Sequence, residues 1–368
     1  MRLLLSVEHP AWVHQFRYVI DELKQKGHEI KVVAIRKDVT CNLLESYNIP
    51  YEIISDSSGK GTIEKGIIFL KTIYKIFRIS QRFKPDIYFG RASPMMAINS
   101  FIFQKPHILF EDSEPSRFCL MVCKLFSDVI FTPNCFNKNL GEKQIRIPAN
   151  KELFYLHPSY FTPNPDTLTE MNLSPNEKYC VVRFVAWNAH HDIGMHGIQD
   201  KINIIKALKS EKIRVIISSE EELPENLKPD QITVGPEKIH DLLYYATIFF
   251  SDSQTMTTEA GILGTPAVRC NTFVGYNDMG NFVELEQKYG LIYNFKQEKD
   301  AIIKAHDLIN EKSIKQIWEA KREKFLVDKI DATALMVWFI DNYPGSLTEM
   351  KEHPELQYRF ASARGDAS

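Results

Sequence analysis

Short apolar runs, rich in β-branched and aromatic residues, recur along this chain, and within each the hydrophobicity is continuous rather than alternating. In the first half they fall at 3–7, 30–35, 51–54, 87–89, 107–110, 129–132 and 145–147. In the second half they fall at 180–186, 214–218, 232–234, 247–250, 266–269 and 291–295. A strand with one wet face would carry polar residues at every second position. A continuous run therefore means a strand covered on both faces, and so parallel strands with helices above and below. The segments between the runs read as helices. Residues 15–26 place Phe16, Val19, Ile20 and Leu23 on one face and stop at Gly27, and 202–208 and 240–246 behave in the same way.

The chain has 368 residues, more than one core usually serves at roughly 100–200 residues per domain. The strand–helix alternation restarts after a stretch rich in Pro, Asn and Thr, TPNPDTLTEMNLSPNEK, at 162–178. Two doubly wound α/β domains are expected, 1–165 and 178–311, with the boundary near 160–178. Two helical stretches follow, 312–328 and 331–342; the second, DATALMVWFIDNY, is apolar on most sides and must be buried, which predicts that the 312–343 segment packs back on the first domain. The polar residues 344–368 read as a frayed tail.

Charge and cysteine usage exclude several classes. Lys and Arg number 45 against 47 Asp and Glu, a formal charge of −2, which argues against a protein that coats nucleic acid. The six cysteines show no zinc spacing and read as reduced thiols in a cytoplasmic protein. The opening MRLLLSVEHP is too short for a signal peptide, and no apolar run reaches the ~20 residues of a membrane span.

In open α/β sheets, ligands bind beyond the carboxyl ends of the strands. The loops there are polar: EHPAWVHQ with Glu8, His9 and His14, then Gly90-Arg91-Ala92-Ser93-Pro94, then Glu111-Asp112-Ser113-Glu114. In the second half, WNAHHDIG follows the first run, SSEEE the second and SDSQTMTTEAG the fourth. The last is the most informative. A buried strand leads to a short helix at 256–263, stopped by Gly264 and Pro266, and Ser253, Gln254 and Thr255 stand at its N-terminus. Free amides and the helix dipole attract an anion there, and hydroxyls add donors for a phosphate. Glu259 lies further along, placed to accept from ribose hydroxyls; plain N-capping by Ser253 or Thr255 is the alternative. Trp187 is a candidate stacking platform for a base or sugar, and His190 or His191 a candidate phosphate ligand; a buried Trp with loop histidines on the surface is the alternative. Arg183, inside an apolar strand, requires either a bound anion or a structural ion-pair partner. His14 is the first-domain candidate for a general base, with Glu111, Asp112 and Glu114 as alternatives; a solvent-facing His at a helix N-terminus and a solvated acidic loop are the other readings. His9, Arg91 and Ser93 complete the acceptor side.

The stretch TIFFSDSQTMTTEAGILGTPAV resembles the nucleotide-sugar site of GT-B-fold enzymes, particularly the strand–DSGG–helix–EE segment of non-hydrolysing UDP-N-acetylglucosamine 2-epimerases. Over most of its length the chain resembles domain-of-unknown-function family 354. The resemblance rests on HPAWVHQFRYVIDELKQKGHEI, GRASP, FEDSEP, YLHPSYFTPNP, VVRFVAWNAHHDIG and IHDLLYYATIFFSDSQTMTTEAGILGTPA. It implies a GT-B-like fold, two Rossmann-like domains facing across a cleft. Ser253, Gln254 and Thr255 would then take a diphosphate and Glu259 a ribose, although Gln254 and Thr255 stand where the epimerases have paired glycines. Two departures bear on the reaction. Trp12 stands where the family often has a second His, and Arg91 stands where such epimerases carry an acid/base Asp.

Residues 60–84 hold seven Lys or Arg and one Glu, interleaved with apolar residues, and read either as a helix with a basic outer face or as a peripheral contact with an anionic membrane. The expectation is a metal-independent glycosyltransferase that takes a nucleoside-diphosphate sugar, UDP-sugar favoured, and a carbohydrate or lipid-linked acceptor. No cofactor and no nucleic acid are expected, and no DxD stands at a strand end to hold a metal. A nucleotide-sugar epimerase or hydrolase, and a non-catalytic binding protein of the same fold, are the alternatives. The expected location is the cytoplasm, including the inner face of the membrane.

Overall fold

The computed structural model describes residues 1–37, 39–56, 61–174, 176–186, 196–275 and 278–361. The chain divides into two units, 1–160 with 329–368, and 161–328.

The first unit alternates β1 (Arg2–Val7), α1 (Pro10–Gln25), β2 (Glu29–Arg36), α2 (Thr40–Ser46), β3 (Tyr51–Asp56), α3 (Thr62–Phe83), β4 (Ile87–Gly90), α4 (Pro94–Phe103), β5 (His107–Phe110), α5 (Arg117–Phe126), β6 (Val129–Pro133) and β7 (Gln144–Ile147). Its seven-stranded sheet runs β3-β2-β1-β4-β5-β6-β7 with every pair parallel. Residues such as Leu3, Leu4, Leu5, Phe89 and Ile108 are buried, as a sheet covered on both faces requires. The order reverses between β1 and β4. There Gly90 adopts φ +147°, and a Cβ on it would meet the Ser6 carbonyl at 3.3 Å, so a side chain would push the end of β4 away from β1.

The second unit runs α6 (Asp166–Glu170), β8 (Tyr179–Phe184), α7 (Lys201–Ser210), β9 (Arg214–Ser219), α8 (Ile239–Tyr245), β10 (Ile248–Ser251), α9 (Gln254–Leu263), β11 (Ala267–Cys270), α10 (Gly280–Val283), β12 (Ile292–Phe295), α11 (Glu298–Asn310) and α12 (Ile314–Val327). Its five strands are parallel in the order β12-β11-β10-β8-β9, reversing between β8 and β10.

After α12 the chain returns to the first unit as α13 (Ala332–Asp341) and α14 (Gly345–Glu352). Burial of α13 follows from its composition: Phe339 packs edge-on to Phe131 at 4.8 Å, and the Thr333 hydroxyl donates to the Phe154 carbonyl. Of the two C-terminal helices, α12 stays with the second unit, where the Trp318 indole donates to the Leu291 carbonyl.

Three expectations change. Residues 232–234 form no strand; a 3-10 turn at Lys228–Asp230 leads in, Gly235-Pro236 leads out, and a single bridge joins Gln231 to Ile217. Helix α1 starts at Pro10 rather than 15, because His9 caps it through Nδ1 and proline suits the first helical position. The segment after Pro344 is α14 and a further 3-10 stretch, Pro354–Phe360, anchored by Arg359 over the Trp338 ring at 3.9 Å. No disulfide forms among the described residues; Cys123, Cys180 and Cys270 are buried and Cys41, Cys119 and Cys135 half-buried.

Candidate functional site

Each sheet presents polar groups at the carboxyl ends of the strands that flank its reversal point, where open α/β sheets bind ligands.

In the first unit this edge is built of charge. Arg91, just past β4, donates through Nη2 to Glu111 Oε1 and Asp112 Oδ1, both at 2.5 Å, and through Nη1 to Gln15 Oε1 at 3.2 Å. Lys151 reaches Asp112 Oδ2 at 3.2 Å and Glu152 Oε1 at 3.0 Å. All five charged groups are buried. Burial raises Asp112, but the cations of Arg91 and Lys151 outweigh it and hold the carboxyl at about 2. Burial likewise opposes charge on Arg91 and Lys151, and the neighbouring carboxylates more than offset it, so both stay cationic. Glu111 also accepts from the Ser113 amide at 2.8 Å and the Ala92 amide at 3.3 Å. Glu111 and Asp112, candidates for a general base, are therefore committed to a buried ion-pair network, and an Asp held at about 2 is a poor proton acceptor near neutrality. Glu114 accepts from the Asn137 amide at 3.1 Å.

His14 is buried on α1, 3.2 Å from the Tyr47 hydroxyl and stacked on Tyr155 at 5.6 Å. His9 and Ser93 serve as N-caps, Ser93 accepting from Met96 at the start of α4.

Glu8 was named in the sequence only as part of the polar loop after the first strand and was given no role there. It follows β1 directly, and its Oε1 is sealed from solvent without a hydrogen bond. Burial pushes the carboxyl up to about 7, against the opposing hydroxyls of Ser93 and Ser6. Burial raises Glu8 while its cations lower Asp112, so one unit holds two carboxyls whose environments push them apart, as acid/base assignments require.

In the second unit the charged groups of the corresponding edge are paired internally, and the start of α9 presents neutral ones. Ser253 caps α9, accepting from the Met256 amide at 3.4 Å, and its own amide donates to Ser251 Oγ at 2.7 Å. The amides of Gln254 and Thr255 donate to no described residue, and both residues are half-buried. Gly264, at φ +88°, ends the helix. Asp252 accepts the Val185 amide on Oδ1 at 3.0 Å and the Ile198 amide on Oδ2 at 3.2 Å. Glu259 is buried, with His240 Nε2 at 3.1 Å from its Oε1, so it faces an internal partner. Arg183 takes the ion-pair alternative, donating to Glu220 at 2.6 Å and Ser218 at 2.7 Å. Trp187, His190 and His191 lie outside the described residues.

Two further features escaped sequence reasoning. Arg269 is fully buried on β11, in register with Ser251, paired to Asp278 and 3.5 Å over the Phe282 ring. A pocket of about 330 Å³ opens beside it, past the ends of β11 and β12, lined by His196, Asn271, Thr272, Lys296 and Glu298 among others. An arginine in an apolar run was the only signal for the first; the pocket is a tertiary property.

A family model described as "Protein of unknown function (DUF354)" matches residues 2–343. No curated protein matches the chain. Among solved structures, S. aureus MnaA in its co-structure with UDP is 13% identical, covering 95% of this chain and 98% of that one at a TM-score of 0.66. The UDP-GlcNAc 2-epimerase from Neisseria meningitidis bound to UDP-GlcNAc is 15% identical over 89% and 100%, at 0.58. The glycosyltransferase SsfS6 from Streptomyces sp. SF2575 is 11% identical over 93% and 100%, at 0.59. At such identities the likeness shows the fold: two Rossmann-like units of the GT-B kind.

Proposed function

The chain belongs to this family of unknown function, and from that premise we propose that it is a metal-independent glycosyltransferase-like enzyme using a nucleoside-diphosphate sugar, UDP-sugar favoured. The observation that carries the reading is the start of α9, directly beyond β10, where the amides of Gln254 and Thr255 carry no partner among the described residues. A diphosphate placed there meets backbone donors and the positive end of the helix dipole, which stabilise charge on the leaving group as the glycosidic bond breaks. The second unit binds the donor, and the first handles the acceptor, a carbohydrate or a lipid-linked one. Glu8 or His14 takes the acceptor proton; Glu8, titrating at about 7, is matched to that task near neutrality. The reading places the enzyme in the cytoplasm, in polysaccharide or glycolipid synthesis.

The test is thermal shift with UDP-, GDP- and CMP-sugars in EDTA, followed by product analysis with candidate acceptors. Stabilisation by a UDP-sugar without metal is expected; no response to any donor would remove the reading. A nucleotide-sugar epimerase or hydrolase is the second reading, favoured by two carboxyls of one unit pushed in opposite directions, Glu8 raised by burial and Asp112 lowered by its cations. Sugar conversion without an acceptor would establish it.

A further inference from the structure

Helices α3, α4 and α5 lie side by side in the first unit, joined by ring contacts: Phe77 to Phe103 at 5.1 Å, Phe101 to Phe126 at 5.0 Å and Phe69 to Phe118 at 6.2 Å. Each buries one face, as shown by Ile76 and Ile79 on α3 and Leu120 and Cys123 on α5. Their outer surface is also apolar. On α3, Ile63, Ile67, Leu70 and Tyr74 are exposed, Ile63 by 82% and Leu70 by 66%. The spacing of four, three and four residues makes these one stripe along a single helix face. On α5, Phe118, Met121 and Leu125 repeat the pattern with 57–68% exposure, and α4 adds Phe101 and Ile102. Nine of the seventeen large hydrophobic side chains exposed among the described residues stand on these three helices. An outward patch of this concentration marks a docking surface rather than scattered surface residues.

Charge identifies the occupant. On α3 the stripe is interleaved with Lys65, Lys71, Lys75 and Arg78, against the single acid Glu64; α4 has no charged residue, and α5 has Arg117 and Lys124 and no acid. The chain as a whole carries −2, so this face opposes the overall balance. A second copy docked here about a two-fold axis would set like charges against each other. A surface that is apolar in its interior and negative at its headgroups satisfies both features at once. No helix among the described residues is long and apolar enough to cross a membrane, so the contact lies in the plane of the surface.

We propose that the outer face of α3, α4 and α5 docks the protein on an anionic lipid bilayer, with the apolar stripes entering the interface and the flanking lysines meeting the headgroups. This extends the basic segment 60–84 to a three-helix platform and does not depend on any sugar transfer.

The test is co-sedimentation of the full chain with phosphatidylcholine vesicles with and without phosphatidylglycerol. Binding to the anionic vesicles alone, weakened but not abolished by added salt, is expected. Lys71→Gln with Lys75→Gln should lower the partition coefficient roughly thirtyfold, at about 1 kcal/mol per basic residue near the surface. Leu70→Asp with Leu125→Asp should abolish binding, while Ile303→Asp, at an exposed isoleucine of α11, leaves it unchanged. Circular dichroism confirms that each variant is folded. Failure of the wild-type chain to bind anionic vesicles, or binding that survives Leu70→Asp with Leu125→Asp, would overturn the proposal. Self-association lost in that double variant, without vesicle binding, would assign the face to a second copy instead.

Discussion

The carboxyl edges of the two sheets face the same task with different materials. The first unit gathers Arg91, Lys151, Glu111, Asp112 and Glu152 into a buried network, with Glu8 beside β4's end as a carboxyl that resists ionisation. The second unit pairs its cations internally, Arg183 with Glu220 and Arg269 with Asp278, and presents amides and hydroxyls at the start of α9. Fixed dipoles cost less to bury than charges and bind an anion without a counter-charge. Buried charges are costly, and they hold defined protonation states only while every partner is present. The second edge is thus suited to holding a charged ligand, and the first to controlling where a proton resides.

The largest effect should come from Arg91→Met. It leaves Glu111 and Asp112 buried, with Lys151 still paired to Asp112, and removing a single partner of a buried pair costs about 3–5 kcal/mol. Burial would then raise Asp112 with less to oppose it. A carboxyl held at about 2 stabilises the fold above its ordinary value of 3.8, and that stabilisation is lost as pH falls towards 2; the variant should unfold at higher pH than the wild type. Urea denaturation at pH 7 and an acid titration measure both. A cost under about 1 kcal/mol would mean that the network is solvated, and the contrast between the edges would fail.

Glu8→Gln sharpens the same comparison with the opposite sign. A carboxyl raised from 4.5 to about 7 binds its proton more tightly when folded, so stability falls as pH rises across that interval and levels off above it. Glutamine has no such penalty. The variant should match the wild type near pH 4 and exceed it by up to about 3 kcal/mol at pH 8. If Glu8 also takes the acceptor proton, the variant loses turnover together with the limb of the pH–rate profile centred near 7. Stability curves that run parallel at all pH values would show that Glu8 is ordinary.

The strands were largely legible because burial on both faces writes itself into consecutive residues; β1, β5 and β12 fall within a residue of where their apolar runs predict. Residues 232–234 misled because Ile232 and Val234 look strand-like, while the 3-10 turns that carry Pro229 and Pro236 on either side leave the ladder to a single bridge at Gln231. Ser253 was legible as a cap from its place before a helix. Glu8 was not, because a loop carboxylate and a sealed acid have the same letter, and only tertiary packing separates them. His240 against Glu259 is hidden for the same reason, nineteen positions apart in sequence.

The smallest effect tests the second edge. Gln254→Glu puts a carboxylate at the first position of α9, where the helix dipole should stabilise the fold by about 0.3–1 kcal/mol. The same charge occupies the place claimed for the diphosphate. Nucleotide affinity should therefore fall by roughly tenfold, about 1.4 kcal/mol, while the melting temperature holds or rises. Titration calorimetry with UDP beside a thermal melt reads both quantities from one preparation. A variant that is more stable and binds UDP as before would show that the α9 terminus is an ordinary cap, and the anion site would have to be sought elsewhere along this edge.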